Sequence, residues 1–186
     1  MLHEPILNGH PPLRIAPLRT VVEPISFATA RGDDADPALD ALRRGLADVR
    51  LEVFVGEQDV PLALEIDARD FAATTIHVLA SGSDGAPLGA ARLLFDSDHP
   101  GQAHLGRLAV RRAARGIGLG ARLVAAVEQA ALERTIAEGG EITVLLAAQE
   151  QAMDFYRRCG YRVLTGERYL DADIWHQDMV RTLHRS

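Results

Sequence analysis

The 186-residue sequence contains no lysine, and all 20 of its basic residues are arginines. We interpret this as a bias of genomic composition that says nothing about mechanism. The single cysteine, Cys159, excludes an intrachain disulfide bond. No apolar run approaches the roughly 18 residues that cross a bilayer, so the sequence predicts no membrane-spanning segment.

Charge and composition narrow the class of protein further. The net charge of −6 argues against a general nucleic-acid-binding surface. The N-terminus carries His3, Glu4 and several prolines where a signal peptide needs a basic start and an apolar core, so we expect a cytoplasmic protein. The length and the 47% hydrophobic content are sufficient for one domain with a full core.

The order of predicted elements indicates a single α/β domain. Residues 1–19 hold four of the nine prolines and are predicted to form an extended N-terminal tail, whereas residues 20–186 form the domain. Apolar periodicity and turn residues predict strands at 20–28, 75–80, 88–95, 103–110, 142–147, 161–164 and 174–183, helices at 37–53, 119–137 and 150–159, and an irregular acidic connection at 54–70. This order implies a mixed sheet with helices on both faces.

Three glycines on alternate positions stand at the start of the predicted helix 119–137. Gly116, Gly118 and Gly120 follow Arg115. A glycine costs about 1 kcal/mol relative to alanine inside a helix, so three of them here require a reason. Without Cβ atoms the backbone can approach a ligand closely, and the N–H groups and positive dipole end of the first helical turn favour an anion. The segment therefore predicts a phosphate-binding loop.

This loop resembles the Arg/Gln-x-x-Gly-x-Gly/Ala signature of the GNAT superfamily of acyl-CoA-dependent N-acyltransferases. The resemblance implies a single-domain GNAT fold, an α/β structure with a mixed, mostly antiparallel central sheet and helices on both faces. It also implies acetyl-CoA as the acyl-donor cosubstrate. No His/Cys/Asp cluster of the sequence has metal-ligand spacing, so we expect no metal. In the family the loop holds the pyrophosphate and the preceding strand pairs with the pantetheine arm. The corresponding residues here are Arg115, Gly116, Ile117, Gly118, Leu119, Gly120 and Ala121 for the loop, and Leu108, Ala109 and Val110 for the strand.

The glycines also fit Gly-x-Gly-x-x-Gly/Ala, the fingerprint of dinucleotide-binding sites. Such a site places its first glycine at the end of a strand, whereas residues 111–115 intervene here. It also needs an acidic residue at the tip of the next strand, where this sequence has Ala147, Ala148 and Gln149. A dinucleotide site is therefore the less favoured alternative.

A second segment carries a candidate proton donor. Residues 155–161, Phe-Tyr-Arg-Arg-Cys-Gly-Tyr, resemble the GNAT segment Phe-Tyr-x-x-x-Gly-Phe/Tyr. The resemblance implies that the Tyr156 hydroxyl protonates the departing thiolate as a general acid. The alternative is that Tyr156 only packs, although Ala152, Phe155 and Cys159 already supply an apolar stripe. Cys159 has the spacing of a buried core residue rather than that of a nucleophile.

Residues 50–80 resemble the ElaA-type branch of the GNAT superfamily. They contain Arg50-Leu-Glu-Val-Phe-Val-Gly-Glu-Gln58, then Glu65-Ile-Asp-Ala-Arg-Asp70, and a histidine, His77, that opens the next predicted strand. Residues 174–179, Ile-Trp-His-Gln-Asp-Met, are similar to the branch's Ile-Pro-His-x-x-Met. Trp175 replaces the proline, which alters the entry into the last strand.

Five carboxylates lie within 14 residues of this segment and are offset only by Arg69: Glu57, Asp59, Glu65, Asp67 and Asp70. One interpretation is a solvated loop. The functional alternative is an acceptor site that attracts a cationic amine and removes a proton from it. Glu57 is the first candidate for the base, because it follows the apolar run 53–55. Asp67 is the second candidate, and His77 and His176 are weaker ones. The candidate acceptor-binding residues are Glu65, Asp67, Asp70, His77 and His176.

Two functional hypotheses follow. The first is an N-acetyltransferase that moves an acetyl group from acetyl-CoA directly to a small-molecule amine or a peptide amine, with Tyr156 as general acid. The second is a non-catalytic acyl-CoA-binding sensor or interaction module. The sequence leaves the acceptor, the acyl length and the formation of a homodimer open, and it predicts neither a nucleic-acid nor a membrane partner.

Overall fold

A seven-stranded sheet forms the centre of the structure, a computed structural model that describes residues 24–135 and 140–184. The strands are β1 (Ser26–Arg31), β2 (Thr75–Ser81), β3 (Pro87–Phe95), β4 (Gln102–Val110), β5 (Glu141–Gln149), β6 (Arg162–Asp171) and β7 (Ile174–His184). The helices are α1 (Asp40–Arg50), α2 (Leu62–Glu65), α3 (Leu119–Thr135) and α4 (Met153–Arg158). Short 3-10 turns lie at 37–39, 68–71, 112–114 and 150–152, and a π-helical segment, Leu51–Glu57, extends α1.

The strands follow the order β1-β2-β3-β4-β5-β7-β6 across the sheet. All neighbours are antiparallel except β4 and β5, which run parallel. These two strands pair at three positions only, from Gln102–Thr143 to His104–Leu145. A parallel pair requires a crossover connection, and α3 lies in that connection.

Helix α1 covers one face of the sheet. The 3-10 turn at 37–39 leads into it and is capped by Asp36, whose carboxylate accepts a hydrogen bond of 2.9 Å from the Ala38 N–H. Leu46 and Val49 recur at helical spacing and pack in a cluster that includes residues of β1, β2, β3 and β4. Full burial of such a side chain stabilises the fold by about 1.5–3 kcal/mol, so this stripe fixes α1 on the sheet.

The helical path runs further than the predicted range of 37–53. The π-helical segment continues to Glu57, because Val53 joins the same apolar cluster and the packing of α1 extends past Arg50. Part of the predicted irregular connection 54–70 is therefore helical, and α2 with the 3-10 turn at 68–71 occupies most of its second half.

Helix α3 and helix α4 cover the opposite face. Leu123 and Val127 of α3 are fully buried in a cluster that also contains Leu93 of β3 and Val144 of β5. The cluster therefore includes residues from both sides of the parallel pair β4–β5. The arrangement confirms the predicted fold, a mixed and mostly antiparallel sheet with helices on both faces.

The C-terminal hairpin differs from the prediction. β6 extends to Asp171 instead of ending at 164, and its turn places Ala172 and Asp173 at φ of 47° and 60°. Hairpin turns of this conformation usually carry Asn-Gly or Asp-Gly, so an Ala-Asp pair gave no recognisable turn signal. The predicted helix 150–159 divides into a 3-10 turn and α4.

Some predictions fall outside the described residues. The tail at 1–19, the first residues of the predicted strand 20–28 and the predicted helix end at 136–137 belong to this group. Within the residues described, no helix combines the length and the apolar character needed to cross a bilayer.

Candidate functional site

A cleft opens in the sheet where β4 and β5 stop pairing. Beyond His104 and Leu145 the two strands continue, as residues 105–110 and 146–149, with no pairing between them. Backbone N–H and C=O groups on these facing edges are strong hydrogen-bonding groups that a neighbouring strand would normally satisfy. The cleft therefore offers an extended ligand two strand edges to pair with.

The predicted phosphate loop closes one end of this cleft. After β4 and the 3-10 turn at 112–114, Gly116 and Gly118 adopt φ of 82° and 81°, and α3 begins at Leu119. An added Cβ at either glycine would meet no atom within 4 Å, so the backbone faces open space. The first N–H groups of α3 have no partner within the helix, and together with the helix dipole they favour an anion in that space.

Gly120 has a different role from the other two loop glycines. An added Cβ there would lie 3.2 Å from the Phe155 ring, so α4 packs directly on the first turn of α3. The glycine allows this close approach and thereby ties α4 to the phosphate loop.

Arg115 joins the loop to the segment that precedes α2. Its Nε donates to the Val110 carbonyl at 2.9 Å, and its Nη2 donates to Glu57 Oε2 at 2.8 Å. The structure thus brings together the predicted cofactor-binding Arg115 and the predicted base Glu57. The Glu57 carboxylate is mostly shielded from solvent, with 19% of the side chain exposed.

Tyr156, the predicted acid, lies on α4, which begins shortly after β5 ends. Its ring contacts Phe155 edge-on, with ring centroids 4.9 Å apart, and Tyr161, with centroids 6.0 Å apart. Tyr156 is 8% exposed and belongs to the core cluster, and no hydrogen bond of its hydroxyl is found among the residues that the structure describes. Burial raises the pKa of Tyr156 well above its ordinary value. A tyrosine hydroxyl is protonated at neutral pH with or without this shift. Burial also raises the pKa of the Cys159 thiol, which disfavours the nucleophilic thiolate.

The predicted acidic group is organised by three arginines. Arg50 contacts Glu65 at 2.5 Å and Asp70 at 2.9 Å. Arg92 contacts Asp70 at 2.8 Å and Asp67 at 3.1 Å. Arg107 Nε lies 3.0 Å from Glu65 Oε2. Three carboxylates and three guanidiniums therefore form one network of paired charges. Four of its members are buried, namely Arg50, Glu65, Asp70 and Arg92, whereas Asp67 and Arg107 are partly exposed and Asp67 also pairs with the exposed Arg69 at 3.0 Å.

The carboxylates of this network differ in their exposure to solvent. Glu65 and Asp70 are buried, whereas 23% of the Asp67 side chain is exposed. Burial alone would raise the pKa of Asp70, but hydrogen bonds and charges from Arg50 and Arg92 outweigh it and hold that pKa well below its ordinary range. Sequence reasoning weighed only Arg69 against the acids, because Arg92 and Arg107 are brought to them by the sheet.

The two predicted histidines are both buried but lie in different places. His77 Nε2 is 2.8 Å from the Asp70 carbonyl, to which it donates, and so supports the turn at 68–71. Burial lowers the pKa of His77. His176 pairs with Gln149 across β5 and β7, its Nδ1 lies 2.8 Å from the Ile174 carbonyl, and its ring stacks on Tyr169.

Two further contacts at the cleft involve residues to which sequence reasoning gave no role. Gln149, at the end of β5, donates from Nε2 to Gln58 Oε1 at 2.9 Å, which joins the β5 side of the cleft to the end of the π-helical segment. Arg107 occupies a bulge of β4 close to the last β4–β5 pair. Neither residue belongs to a local motif, since the contacts depend on how distant segments meet.

Two parallel strands that diverge beside a glycine-rich helix start define the fold class of the acyl-CoA-dependent acyltransferases. Residues 46–183 match the family model described as an acetyltransferase (GNAT) domain, and the chain belongs to the GNAT family. It is an acyl-CoA-dependent acyltransferase of the N-acetyltransferase type. The assignment leaves the dinucleotide alternative without support.

Relatives agree with this assignment. The chain is 40% identical over 134 residues to the uncharacterized N-acetyltransferase YjcF of Bacillus subtilis, covering 72% of this chain and 87% of that protein. The structure is similar to an acyl-CoA N-acyltransferase from Pseudomonas aeruginosa, with a TM-score of 0.71, 35% identity and coverage of 85% and 99% of the two chains. It is also similar to Escherichia coli ElaA, with a TM-score of 0.70, 25% identity and coverage of 84% and 99%. The predicted relationship to the ElaA-type branch is confirmed.

Proposed function

We propose that this chain transfers an acetyl group from acetyl-CoA directly to an amine bound in the cleft between β4 and β5. The observation that carries this proposal is a combination of two features. The pairing of β4 with β5 ends after His104, and the loop that follows β4 contains Gly116 and Gly118, which have positive φ and face open space. Acetyl-CoA, when bound, supplies the acetyl group as a thioester with a thiolate leaving group.

The residues of the loop fit a pyrophosphate. Gly116, Gly118 and the free N–H groups at 119–121 would hold phosphate oxygens, and Arg115 adds a guanidinium. The unpaired edge of β4 at Leu108, Ala109 and Val110 offers backbone groups to the pantetheine arm. Binding by backbone groups on two rigid elements positions the reacting carbonyl without depending on flexible side chains.

Tyr156 supplies the proton for the departing sulfur in this proposal. The argument rests on its hydroxyl, which forms no hydrogen bond with the residues described, and on its place on α4, which packs on the phosphate loop through Phe155. As the N–C bond forms and the C–S bond breaks, the hydroxyl proton moves to the sulfur.

Glu57 is the proposed base that takes the amine proton. Its ion pair with Arg115 requires the carboxylate to exchange partners before it can accept a proton, and an incoming phosphate competes for the same guanidinium. His176 is the second candidate. A neutral ring that donates from Nδ1 to Ile174 leaves Nε2 as the acceptor nitrogen.

The remaining candidate residues divide into two groups in this proposal. Asp67, the second candidate for the base from the sequence, keeps part of its carboxylate accessible. Burial alone would raise its pKa, but hydrogen bonds and charges from Arg69 and Arg92 outweigh this effect and lower the pKa, so Asp67 is suited to attract a cationic amine rather than to take its proton. Glu65, Asp70 and His77 hold the wall of the acceptor side through the buried network. The acceptor is a small-molecule amine or a peptide amine.

The direct test is free-thiol release from acetyl-CoA across a panel of small amines and short peptides. We expect amine-dependent release that scales with enzyme concentration, together with the acetylated amine as product. Tight acetyl-CoA binding without release from any amine would instead support a non-catalytic sensor.

A further inference from the structure

A bulge interrupts β4 at the cleft. Between the pairs Ala90–Ala109 and Arg92–Gly106, two residues of β4, Arg107 and Leu108, lie opposite the single residue Ala91. Arg107 has φ of 53°, in the left-handed region that residues other than glycine seldom occupy. A bulged residue in this conformation requires support from its surroundings.

The Arg107 side chain provides contacts that supply this support. Its Nη2 donates to the Leu64 carbonyl at 2.7 Å, and its Nε donates to the Glu65 carbonyl at 3.2 Å. Nε also lies 3.0 Å from Glu65 Oε2, and Nη2 lies 3.7 Å from Asp67 Oδ2. All these partners belong to residues 64–67, so one guanidinium holds this short segment onto β4.

The partners of Arg107 are themselves immobilised. Glu65 is 2% exposed and is also bound by Arg50 of α1, while Arg92 of β3 holds Asp67 and Asp70. Arg107 lies on β4, which borders the cleft, whereas Arg50 and Arg92 lie on α1 and β3. The Arg107 side chain is 25% exposed. It therefore joins a rigid network to the strand that borders the cleft.

The bulge lies where the position of β4 matters most for transfer. It begins three residues after His104, the last β4 residue paired with β5, and it includes Leu108, the first of the edge residues 108–110 that are proposed to pair with the pantetheine arm. A displacement there moves the backbone that holds the thioester relative to the wall at 64–67. A displacement of about 1 Å between reacting groups can cost about 10²-fold in rate.

We propose that Arg107 is a positioning residue, whose guanidinium clamps segment 64–67 onto the β4 bulge and so sets the distance between the acceptor amine and the thioester. This inference rests on the proposed acetyl transfer for its kinetic consequence. The clamp itself is a property of the fold that can be measured without turnover.

The kinetic test compares Arg107→Met with Arg69→Met in the full chain. Arg107→Met keeps the apolar stem and removes the clamp, and kcat/KM for the amine should fall by roughly 10²-fold while the acetyl-CoA Kd changes by less than about fivefold. Arg69→Met removes a pair with Asp67 at 3.0 Å from a side chain that is 67% exposed, so its effect should stay below about fivefold. Equal losses in both variants, or wild-type kinetics in Arg107→Met, would overturn the proposal.

A further variant separates the side chain from the backbone. Arg107→Gly accepts the left-handed conformation without strain but lacks the guanidinium. It should be as slow as Arg107→Met, and Arg107→Lys should recover part of the rate. If Arg107→Gly reacts at the wild-type rate, the backbone of the bulge alone positions the reacting groups, and the proposed role of the guanidinium is refuted.

Hydrogen exchange gives a readout that does not depend on activity. In Arg107→Met, exchange should accelerate in the amides of 64–67 and 108–110, and it should be unchanged there in Arg69→Met. If no amine supports turnover in the wild type, the proposed function fails while this measurement still decides on the clamp. If exchange at 64–67 and 108–110 is the same in Arg107→Met as in the wild type, the proposed clamp is contradicted.

Discussion

At the scale of single residues, Gly118 permits the sharpest test of cofactor binding. A valine there would strain the backbone at φ of 81° and project into the open space in front of α3. Acetyl-CoA at about 100 times its Kd should stabilise the wild type by about 2.7 kcal/mol and raise its Tm, whereas NAD should not. Gly118→Val should abolish the acetyl-CoA shift.

Gly85 provides the matched control for that experiment. It has φ of 80° and open surroundings in the turn between β2 and β3, outside the loop 115–121. Gly85→Val should lower the Tm of the free protein to a similar extent but retain the full acetyl-CoA shift. A retained shift in Gly118→Val would contradict the role of this loop.

Tyr156→Phe tests the proton donor with the ring kept in place. If the hydroxyl protonates the sulfur, turnover should fall by roughly 10²-fold or more, while the acetyl-CoA Kd from calorimetry changes little. Tyr161→Phe removes another buried hydroxyl from the same aromatic group and should leave turnover near wild type. Equal turnover in wild type and Tyr156→Phe, with a fast-reacting amine, would assign Tyr156 to packing.

At the scale of secondary-structure elements, the π-helical segment determines where Glu57 is placed. It directs the carboxylate to Arg115 and positions Gln58 beside Gln149. Glu57→Gln keeps the size and removes the charge. If Glu57 is the base, turnover should fall at neutral pH and recover partly at higher pH, where the amine loses its proton unaided.

A pH–rate profile with an unchanged acetyl-CoA Kd is the measurement that checks the Glu57 prediction. Glu52→Gln is a suitable control, because Glu52 lies on the same segment and pairs with Arg111 at 3.0 Å away from the loop glycines. A profile of Glu57→Gln that coincides with wild type would remove the base assignment and favour His176.

The elements also explain how much could be predicted from the sequence. Helix α1 and the loop at 115–121 are specified locally, by apolar spacing and by glycines, and both were predicted. The partners of Glu65 and Asp70 were not, since Arg92 and Arg107 reach them only through strand pairing. Local composition therefore suggested an excess of negative charge where the folded chain has a balanced network.

At the scale of the whole molecule, the buried network should make stability depend on pH. The pKa of Asp70 is lower in the folded chain than its value of about 3.9 in the unfolded chain. Its stabilisation is therefore fully present above that unfolded value and is lost as the pH falls towards the folded pKa. Asp70→Asn should cost about 3 kcal/mol near pH 7, and the difference from wild type should shrink below about pH 4.

Denaturant unfolding at several pH values measures this difference directly, and titrating groups that do not interact with Asp70 cancel between the two proteins. Asp33→Asn breaks an exposed pair with Arg31 and should cost less than about 1 kcal/mol at any pH. A difference between wild type and Asp70→Asn that stays constant down to pH 3 would contradict the proposed ionic role.

The short junction between β4 and β5 also has a consequence for motion. Strands β1–β4 and β5–β7 share three residue pairs, and on the α3 face they share the core around Leu123 and Val144. In the free chain, we therefore expect the two parts of the sheet to move relative to each other about a hinge next to His104, on the microsecond-to-millisecond scale typical of such movements. An extended ligand that forms hydrogen bonds with both strand edges would connect the two parts of the sheet. Relaxation dispersion at residues 105–110 and 146–149 should therefore diminish when acetyl-CoA binds.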